Sequence, residues 1–425
     1  MTSLVYVFSG FTDLWAYTYF HLDFSITRLM MTVVAVFLCA ILIPRTLKPS
    51  MVLMHMALAL IVSPSSVLYA CGGYSDFFMI MTLAGYVIIL PFQAAGARIP
   101  FLEGRLSASN LALICMAFCV SCLGLMLLIS GTRYFNVDFR RVYEFRSDAR
   151  NDLPSVFGYA GSIMGKVLIP LLVTLGLCFR RWQWVAIGFA SGFLLFAFTS
   201  HKSPLFTPIL LIVVYYAARL LVKSPIRAFV YAASVGVVLF GLSWFDFSNG
   251  DDGEVTHVGT LFYRRVLMVP SMLNGLYLES FGSLFQFQYF GGNSFTLGLI
   301  GAQNTAPSPA LIGAYFLGTD SWANTGYIGS GYAQLGVSGV LMYGMLLGIY
   351  GSLVDNLSHR HGPVLILTCF FPIFLTIIVS SDLPTAMLSH GGALSLLLVM
   401  SLRNGDSCDS VIGVKYQGES CVSHI

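Results

Sequence analysis

Long apolar runs separated by short polar hinges recur along this chain from residue 29 to residue 402. A helix needs about 20 apolar residues to cross the hydrocarbon core of a bilayer, and these runs approach that length. Only 10% of the residues are charged, against roughly 25% in an average soluble domain. The pattern therefore predicts an all-α polytopic integral membrane protein and excludes a soluble, disordered or disulfide-rich secreted protein.

Windows of this length predict about eleven transmembrane helices, within a range of about ten to twelve. We expect them to form a single transmembrane domain over residues 1–425. A long, proline-broken segment over residues 246–327 separates the eighth and ninth spans and predicts re-entrant or interfacial helices. The predicted spans are 29–44, 51–70, 76–95, 109–131, 156–178, 182–199, 203–222, 226–245, 328–353, 362–380 and 386–402.

Basic residues are distributed unevenly between the two sides that these spans define. One side holds twelve and the other nine, or seven once residues 246–327 are set aside as a long loop. The positive-inside rule makes the richer side cytoplasmic. This orientation predicts a cytoplasmic tail over residues 403–425, an outer basic loop over residues 132–155 and an outer segment over residues 246–327.

The outer loop over residues 132–155 collects cations where topology does not require them. It contains five arginines, among them Arg140, Arg141, Arg146 and Arg150. The planar fork of an arginine matches phosphate oxygens, so the loop is a candidate site for an anionic group such as a diphosphate. Acidic residues in the same loop leave a second interpretation open, a solvated helix with local ion pairs.

Arg264 and Arg265 lie in a mainly apolar stretch that has no acid between Glu254 and Glu279. Because a charge flanked by apolar surface at a membrane face needs a partner, the pair favours an anion site. The same outer segment mixes amides with aromatic residues such as Trp322, a composition that suits glycan binding. Aromatic belts at membrane interfaces have a similar composition, so both interpretations stay open.

Three further polar residues are candidates. Lys166 lies eleven residues into its apolar run, roughly 15 Å from that end at helical rise. An ion at this depth serves either a functional site or a structural pair with a buried carbonyl or acid. In the turn sequence SHKSP, Lys202 is a candidate phosphate ligand and His201 a candidate base near neutral pH, although an ordinary polar hinge has the same residues.

The cysteines and the net charge limit which cofactors and partners we expect. Most of the nine cysteines lie inside apolar runs, as buried packing residues do. Neither His nor acid lies near Cys115, Cys119 and Cys122, so we predict no metal site there. The formal net charge of +3, without a basic block, excludes a nucleic-acid partner. We expect no cofactor and a lipid bilayer as surroundings.

Four stretches of the chain resemble the Wzy-type O-antigen and polysaccharide repeat-unit polymerases, which are related to the O-antigen ligases. The span number, the basic loop before the fifth span and the large outer segment are also similar to that family. The resemblance implies a GT-C-like, metal-independent glycosyltransferase in the multi-pass inner membrane of a bacterium, with its active site facing the periplasm. The four stretches are FTSHKSPLFTPILL, YRRVLMVPSMLNGLYLESF, APSPALIGAYFLG and NTGYIGSGYAQLGVSGVLMYGML.

The resemblance also implies substrates and residue roles. The donor and the acceptor would both be undecaprenyl-diphosphate-linked oligosaccharides, and the product would be an O-antigen-type polysaccharide. A chain-length regulator is a further candidate partner. Arg264 and Arg265, with Lys202 and Lys166, would hold the diphosphate and stabilise its developing charge. The arginines of the outer basic loop and the aromatic Trp322 would bind the lipid-linked substrates. The candidate bases are His201, His257, Glu279 and Asp320.

Two other functions stay open at this point. An O-antigen ligase has a similar layout and would transfer finished polymer to a lipid core. A flippase for lipid-linked oligosaccharides, which is a transporter, would use the same ligand. Transporters often contain an internal repeat, and none is evident in this hydropathy pattern.

Overall fold

The computed structural model of the protein is mainly helical in the part of the chain that it describes. Eight helices in that part are long and apolar enough to cross a membrane, and three shorter apolar helices accompany them. The protein is therefore an all-α polytopic membrane protein, as its composition predicts. The described residues are 19–44, 48–96, 104–130, 133, 135–138, 145, 154–224, 260–292, 305–318 and 322–403, with isolated positions between 226 and 241.

The helices are numbered here in chain order. π-helical segments lie within α2 (Leu58–Val62), within α5 (Met164–Leu168) and directly before α8 (Thr260–Met268). The helices are α1 (Ile26–Leu42), α2 (Pro49–Cys71), α3 (Asp76–Ala94), α4 (Ala108–Ser130), α5 (Val156–Cys178), α6 (Trp182–Thr199), α7 (Ser203–Lys223), α8 (Val269–Ser280), α9 (Ser308–Leu317), α10 (Tyr327–Leu335), α11 (Val337–His361), α12 (Pro363–Val379), α13 (Leu383–Leu388) and α14 (Gly392–Met400).

Local sequence explains where several helices begin. The hydroxyl of Ser25 accepts a hydrogen bond from the Arg28 N–H at the start of α1, and the hydroxyl of Ser75 does the same for Phe78 in α3. Such serine caps satisfy amide groups that have no partner inside the helix. In α2, Pro49 occupies the first turn, where its missing N–H costs nothing.

Most predicted spans coincide with helices, and three do not follow the prediction closely. The predicted span 386–402 is interrupted between α13 and α14. The predicted span 226–245 lies largely outside the described residues. The predicted span 328–353 is two helices, because Gly336 has a positive φ of 64° and separates α10 from α11. Only glycine adopts that conformation without strain, so a hydropathy window cannot detect the break.

Contacts group the helices into two compact units, and the single transmembrane domain expected over residues 1–425 stays a prediction. The first unit comprises Met1–Arg98, Tyr231–Leu353 and Phe374–Met387. Its α8 is buried along nearly its whole length and packs against α2, α3 and α10. Gly275 of α8 makes room for the ring of Tyr74. α8 is thus a core element of this unit.

The second unit comprises Ile99–Val230, Val354–Ile373 and Leu388–Ile425. Its centre is α5, which packs against α4, α6 and α7. Gly188 of α6 lies directly against Val173 of α5, and small residues of this kind let membrane helices approach closely. The seven cysteines among the described residues are buried and form no disulfide.

The large outer segment predicted over residues 246–327 is described in parts. These parts are the π-helical segment Thr260–Met268, α8, the turns over residues 281–292, and α9. None of them is among the helices long and apolar enough to cross a membrane. Its assignment to the outer face stays a prediction, as do the tail over residues 403–425 and the basic loop over residues 132–155.

Candidate functional site

Lys166 lies in the π-helical segment of α5, in the second unit. Its side chain is partly buried, and in the described part of the chain no carboxylate lies in ion-pair range of it. π-helical turns are rare and frequently occur at functional sites. A lysine at this depth without an acid beside it is not half of a structural ion pair. The other structural interpretation of the sequence, a pair with a buried carbonyl, stays open.

A histidine that the sequence did not single out lies close to Lys166. The Ser162 hydroxyl and Nδ1 of His390 are 2.6 Å apart and share a hydrogen bond, although 228 positions separate the two residues. The imidazole of His390 also lies in electrostatic range of the Lys166 ammonium. The structure therefore brings a hydroxyl, an imidazole and an ammonium group together.

His390 lies in a break between two helical segments. α13 ends at Leu388 and α14 begins at Gly392, with Gly391 between them at a positive φ of 81°. Gly391 has no side chain to cap the first amides of α14, and its backbone approaches Val167 of α5 so closely that a Cβ would come within 2.6 Å of Cγ2. The partly positive start of α14 therefore packs beside the π-helical segment that contains Lys166.

The turn SHKSP belongs to the same unit. His201 and Lys202 are exposed, and Lys202 directly precedes α7. A Cβ on Gly165, the neighbour of Lys166, would lie 3.3 Å from Cγ of Pro204. The start of α7 thus packs beside the π-helical segment of α5, and the predicted residues Lys166, His201 and Lys202 fall in one region.

The beginning of the outer basic loop joins this region. The Asn136 N–H donates to the Ala197 carbonyl oxygen at 2.8 Å, and its side-chain amide reaches the Ser200 hydroxyl at 3.4 Å. The loop therefore starts against the SHKSP turn. The predicted substrate-binding residues Arg140, Arg141, Arg146 and Arg150 lie outside the described residues.

Other predicted residues lie in the first unit. Arg264 and Arg265 are part of the π-helical segment before α8, and the side chain of Arg265 is exposed. Trp322 is 45% exposed. Of the remaining candidate bases, Glu279 is exposed at the end of α8, and His257 and Asp320 lie outside the described residues.

A buried polar network surrounds Asn274 in α8. Its side-chain oxygen accepts hydrogen bonds from the Thr325 hydroxyl at 2.7 Å and from the Gly329 N–H at 2.9 Å. One turn further along α8, the Tyr277 hydroxyl donates to the carbonyl oxygen of Ala323 at 2.9 Å. The stretch that follows Trp322 is thereby fixed to α8.

Asp382, in the turn between α12 and α13, is the functional candidate that the sequence interpretation missed. The Tyr343 hydroxyl donates to its carboxylate at 2.8 Å, and the Thr385 hydroxyl donates at 3.4 Å. Asp382 is the only acid between Asp355 and Asp406. Its isolation between two apolar runs was the available sequence signal.

A metal site requires several His, Cys, Asp or Glu side chains that point at one position. Among the described residues, no group of three or more His, Cys, Asp or Glu side chains converges as a metal site would require. Metal-independence itself stays a prediction.

Comparisons with known proteins do not identify a family for this chain. No family model, no curated protein and no solved structure matches this chain.

Proposed function

We propose that the protein is a membrane glycosyltransferase that polymerises undecaprenyl-diphosphate-linked oligosaccharide repeat units into an O-antigen-type polysaccharide. On this proposal it transfers glycosyl groups without a metal ion, at the periplasmic face of a bacterial inner membrane. Donor and acceptor are both lipid-linked.

The surroundings of Lys166 are the observation that carries this proposal. Its ammonium group lies near the Ser162–His390 pair and near the uncapped start of α14, with no carboxylate in ion-pair range among the described residues. Lysine, a helix start and neutral hydrogen-bonding groups together favour an anion. A lipid-linked diphosphate is an anion whose natural position is at a membrane.

Such a site stabilises the leaving group of glycosyl transfer. The hydroxyl oxygen of the acceptor forms a bond to the anomeric carbon of the donor while the bond between that carbon and the diphosphate oxygen breaks. The electron pair of the broken bond leaves with the diphosphate, and the hydroxyl proton passes to a base, for which His201 is a candidate. Lys166 and Lys202 would balance the charge that develops on those oxygens, which lowers the barrier because the cations are already in position. The arginines of the outer basic loop would hold the lipid-linked headgroups.

The test is polymerisation in liposomes from a purified undecaprenyl-diphosphate oligosaccharide repeat, with a chelator present and the glycan resolved on a gel. Wild type is expected to produce a ladder. Lys166→Met is expected to slow elongation on the order of 100-fold, as loss of a charge-stabilising group does. Lys223→Met, the same change at an exposed lysine at the end of α7, is the matched control and should leave the ladder intact.

Equal elongation by Lys166→Met and Lys223→Met, at equal amounts of folded protein, would contradict the role of Lys166. A wild-type protein that produces no ladder from its native repeat would contradict the polymerase proposal as a whole.

One observation favours a transporter as a second candidate. The break at Gly391 gives a discontinuous helix beside an intramembrane lysine, and discontinuous helices of this kind form ligand sites in transporters. Translocation of the lipid-linked repeat across the liposome membrane, measured by its accessibility to an external glycosidase, would occur without a ladder if the protein is a flippase.

A further inference from the structure

Two successive aromatic residues have a positive φ in the turns that follow α8. The φ of Tyr289 is 45° and that of Phe290 is 66°, in a region of backbone space that bulky side chains rarely adopt. A residue in this region costs free energy and persists only where the surrounding structure enforces its conformation. The turn around Tyr289 and Phe290 is therefore strained, and its neighbours must hold it in place.

Two buried glutamines hold this turn. The side-chain oxygen of Gln334, at the end of α10, accepts a hydrogen bond from the Phe290 N–H at 2.7 Å. The backbone oxygen of the same glutamine accepts one from the Tyr289 N–H at 3.1 Å. The side chain of Gln288 accepts a hydrogen bond from the hydroxyl of Ser308, the first residue of α9. The turn is thus fixed both to α10 and to the start of α9.

Two exposed aromatic residues flank the first turn of α9. Tyr289 is 58% exposed and Trp322 is 45% exposed. The residue before Tyr289 binds the first residue of α9. The residue after Trp322 donates its backbone N–H to the carbonyl oxygen of the second residue of α9, Pro309, at 3.0 Å. Tyr289 and Trp322, called the aromatic pair below, therefore lie close to one helix start, and both belong to the first unit.

The described surroundings of the aromatic pair are polar but uncharged. The stretches 281–292, 305–318 and 322–326 contain no acidic or basic residue, and the side chain of Gln286 is exposed. A site for an anion would need a cation, and anchors at a membrane interface commonly include lysine or arginine beside the aromatic residues. Aromatic faces with a few uncharged polar groups instead suit a neutral ligand that is rich in hydroxyl groups, such as a sugar.

The strained backbone distinguishes a glycan surface from an aromatic belt, the two interpretations that the sequence left open. A belt residue needs only to place its ring at the level of the lipid headgroups, and an ordinary backbone conformation does this without strain. A ring that must meet a ligand at one position gains affinity when it is fixed before binding. The hydrogen bonds from the turn to Gln334 provide this rigidity.

We propose that the aromatic pair, Tyr289 and Trp322, binds the oligosaccharide of the lipid-linked substrate, with the amide of Gln286 as a partner for sugar hydroxyl groups. This inference rests on the proposed glycosyltransferase function, which supplies the oligosaccharide as the ligand. The two rings pack against the apolar faces of sugar residues. The surface holds the glycan, and no covalent bond forms or breaks there.

Tyr289→Asn separates binding from folding. Asparagine adopts a positive φ more readily than tyrosine does, so the unfolding midpoint in detergent should equal or exceed that of wild type. Loss of the ring should weaken binding by about tenfold, as removal of an aromatic anchor does. Binding is measured by titration in saturation-transfer difference NMR with the native oligosaccharide repeat, released from its lipid by mild acid. Tyr216→Asn, the same change at an exposed tyrosine of α7, is the matched control and should leave binding unchanged.

Trp322→Ala is a second variant, because Trp322 lies outside the strained turn. It should also weaken binding by about tenfold. If both variants bind the oligosaccharide as tightly as wild type, the rings belong to an aromatic belt and the inference is wrong. Absence of saturation transfer with wild type would contradict it as well, and a lower unfolding midpoint for Tyr289→Asn would contradict the argument from strain.

The outcomes distinguish this inference from the proposed function. A wild-type ladder together with unchanged binding by both variants would remove the glycan surface and leave the polymerase proposal in place. Binding by wild type that both variants lose, without a ladder from the lipid-linked repeat, would support the glycan surface and contradict the polymerase proposal.

Discussion

Lys166 and Asp382 are ionisable side chains without an oppositely charged partner in the described part of the chain. Burying a charge without such a partner costs free energy that a purely structural residue does not need to incur. Neutral donors and acceptors surround each of them instead: Ser162 and His390 near Lys166, and Tyr343 and Thr385 at Asp382. Both sites are therefore suited to a charge that arrives with a substrate or changes during a reaction.

The buried hydrogen bonds of Asn274 have a structural role. Asn274→Ala would leave the Thr325 hydroxyl and the Gly329 N–H without their acceptor, at about 1–3 kcal/mol for each buried group. We expect a clear fall in the thermal unfolding midpoint in detergent. Thr325→Val removes only one of these hydrogen bonds and should lower the midpoint less; equal midpoints for both variants would contradict this account.

Sequence reasoning found the cations of the candidate site and missed their neighbours for a physical reason. Lys166 and Lys202 are conspicuous because they interrupt or border apolar runs. His390 gains its significance from Ser162, 228 positions away, and Asp382 gains its own from Tyr343 of α11. Contacts between residues far apart in the sequence depend on the tertiary fold, and hydropathy and local spacing do not predict that fold.

At the scale of helices, hydropathy predicted most spans but none of their interruptions. The π-helical segment of α2 is as apolar as the helix around it, and that of α5 is apolar except for Gly165 and Lys166. The division at Gly336 depends on one backbone conformation. Such features do not change average hydropathy, so only the folded structure shows them.

Close helix packing gives a prediction at this scale. A Cβ on Gly348 of α11 would lie 2.5 Å from the backbone oxygen of Ile89 and 2.9 Å from Cβ of Phe92, both in α3. Gly348→Leu should therefore force the two helices apart and lower both the yield and the unfolding temperature of the purified protein. Gly124→Leu in α4, where a Cβ meets nothing within 4 Å, should be tolerated; comparable losses for both would show that leucine itself is the problem.

For the whole molecule, two backbone pairings in the second unit join stretches that lie near the same predicted side of the membrane. Residues 104–106, in a predicted cytoplasmic hinge, pair with residues 401–403, where the last predicted span meets the predicted cytoplasmic tail. Asn136 pairs with Ala197, and both lie beside predicted outer hinges. Which side is cytoplasmic stays a prediction, and the grouping of helices into two units was not predicted.

Sidedness can be measured at the two ends of α7. Lys202→Cys should react with a membrane-impermeant maleimide added outside spheroplasts, and Lys223→Cys should react only after lysis. Both are made with Cys408 and Cys421 changed to serine, since the seven described cysteines are buried. The reverse labelling pattern would invert the topology and move the candidate site to the cytoplasm.

The π-helical segment of α5 has a consequence for helical phase. One additional residue advances a helix by roughly 100°, so the two halves of α5 present faces that a continuous α-helix would not align. Lys166 lies inside this segment, and its direction therefore depends on the presence of the extra residue. A related chain one residue shorter here would retain an equally apolar helix but point this lysine elsewhere, which makes the spacing around Lys166 as informative as its identity.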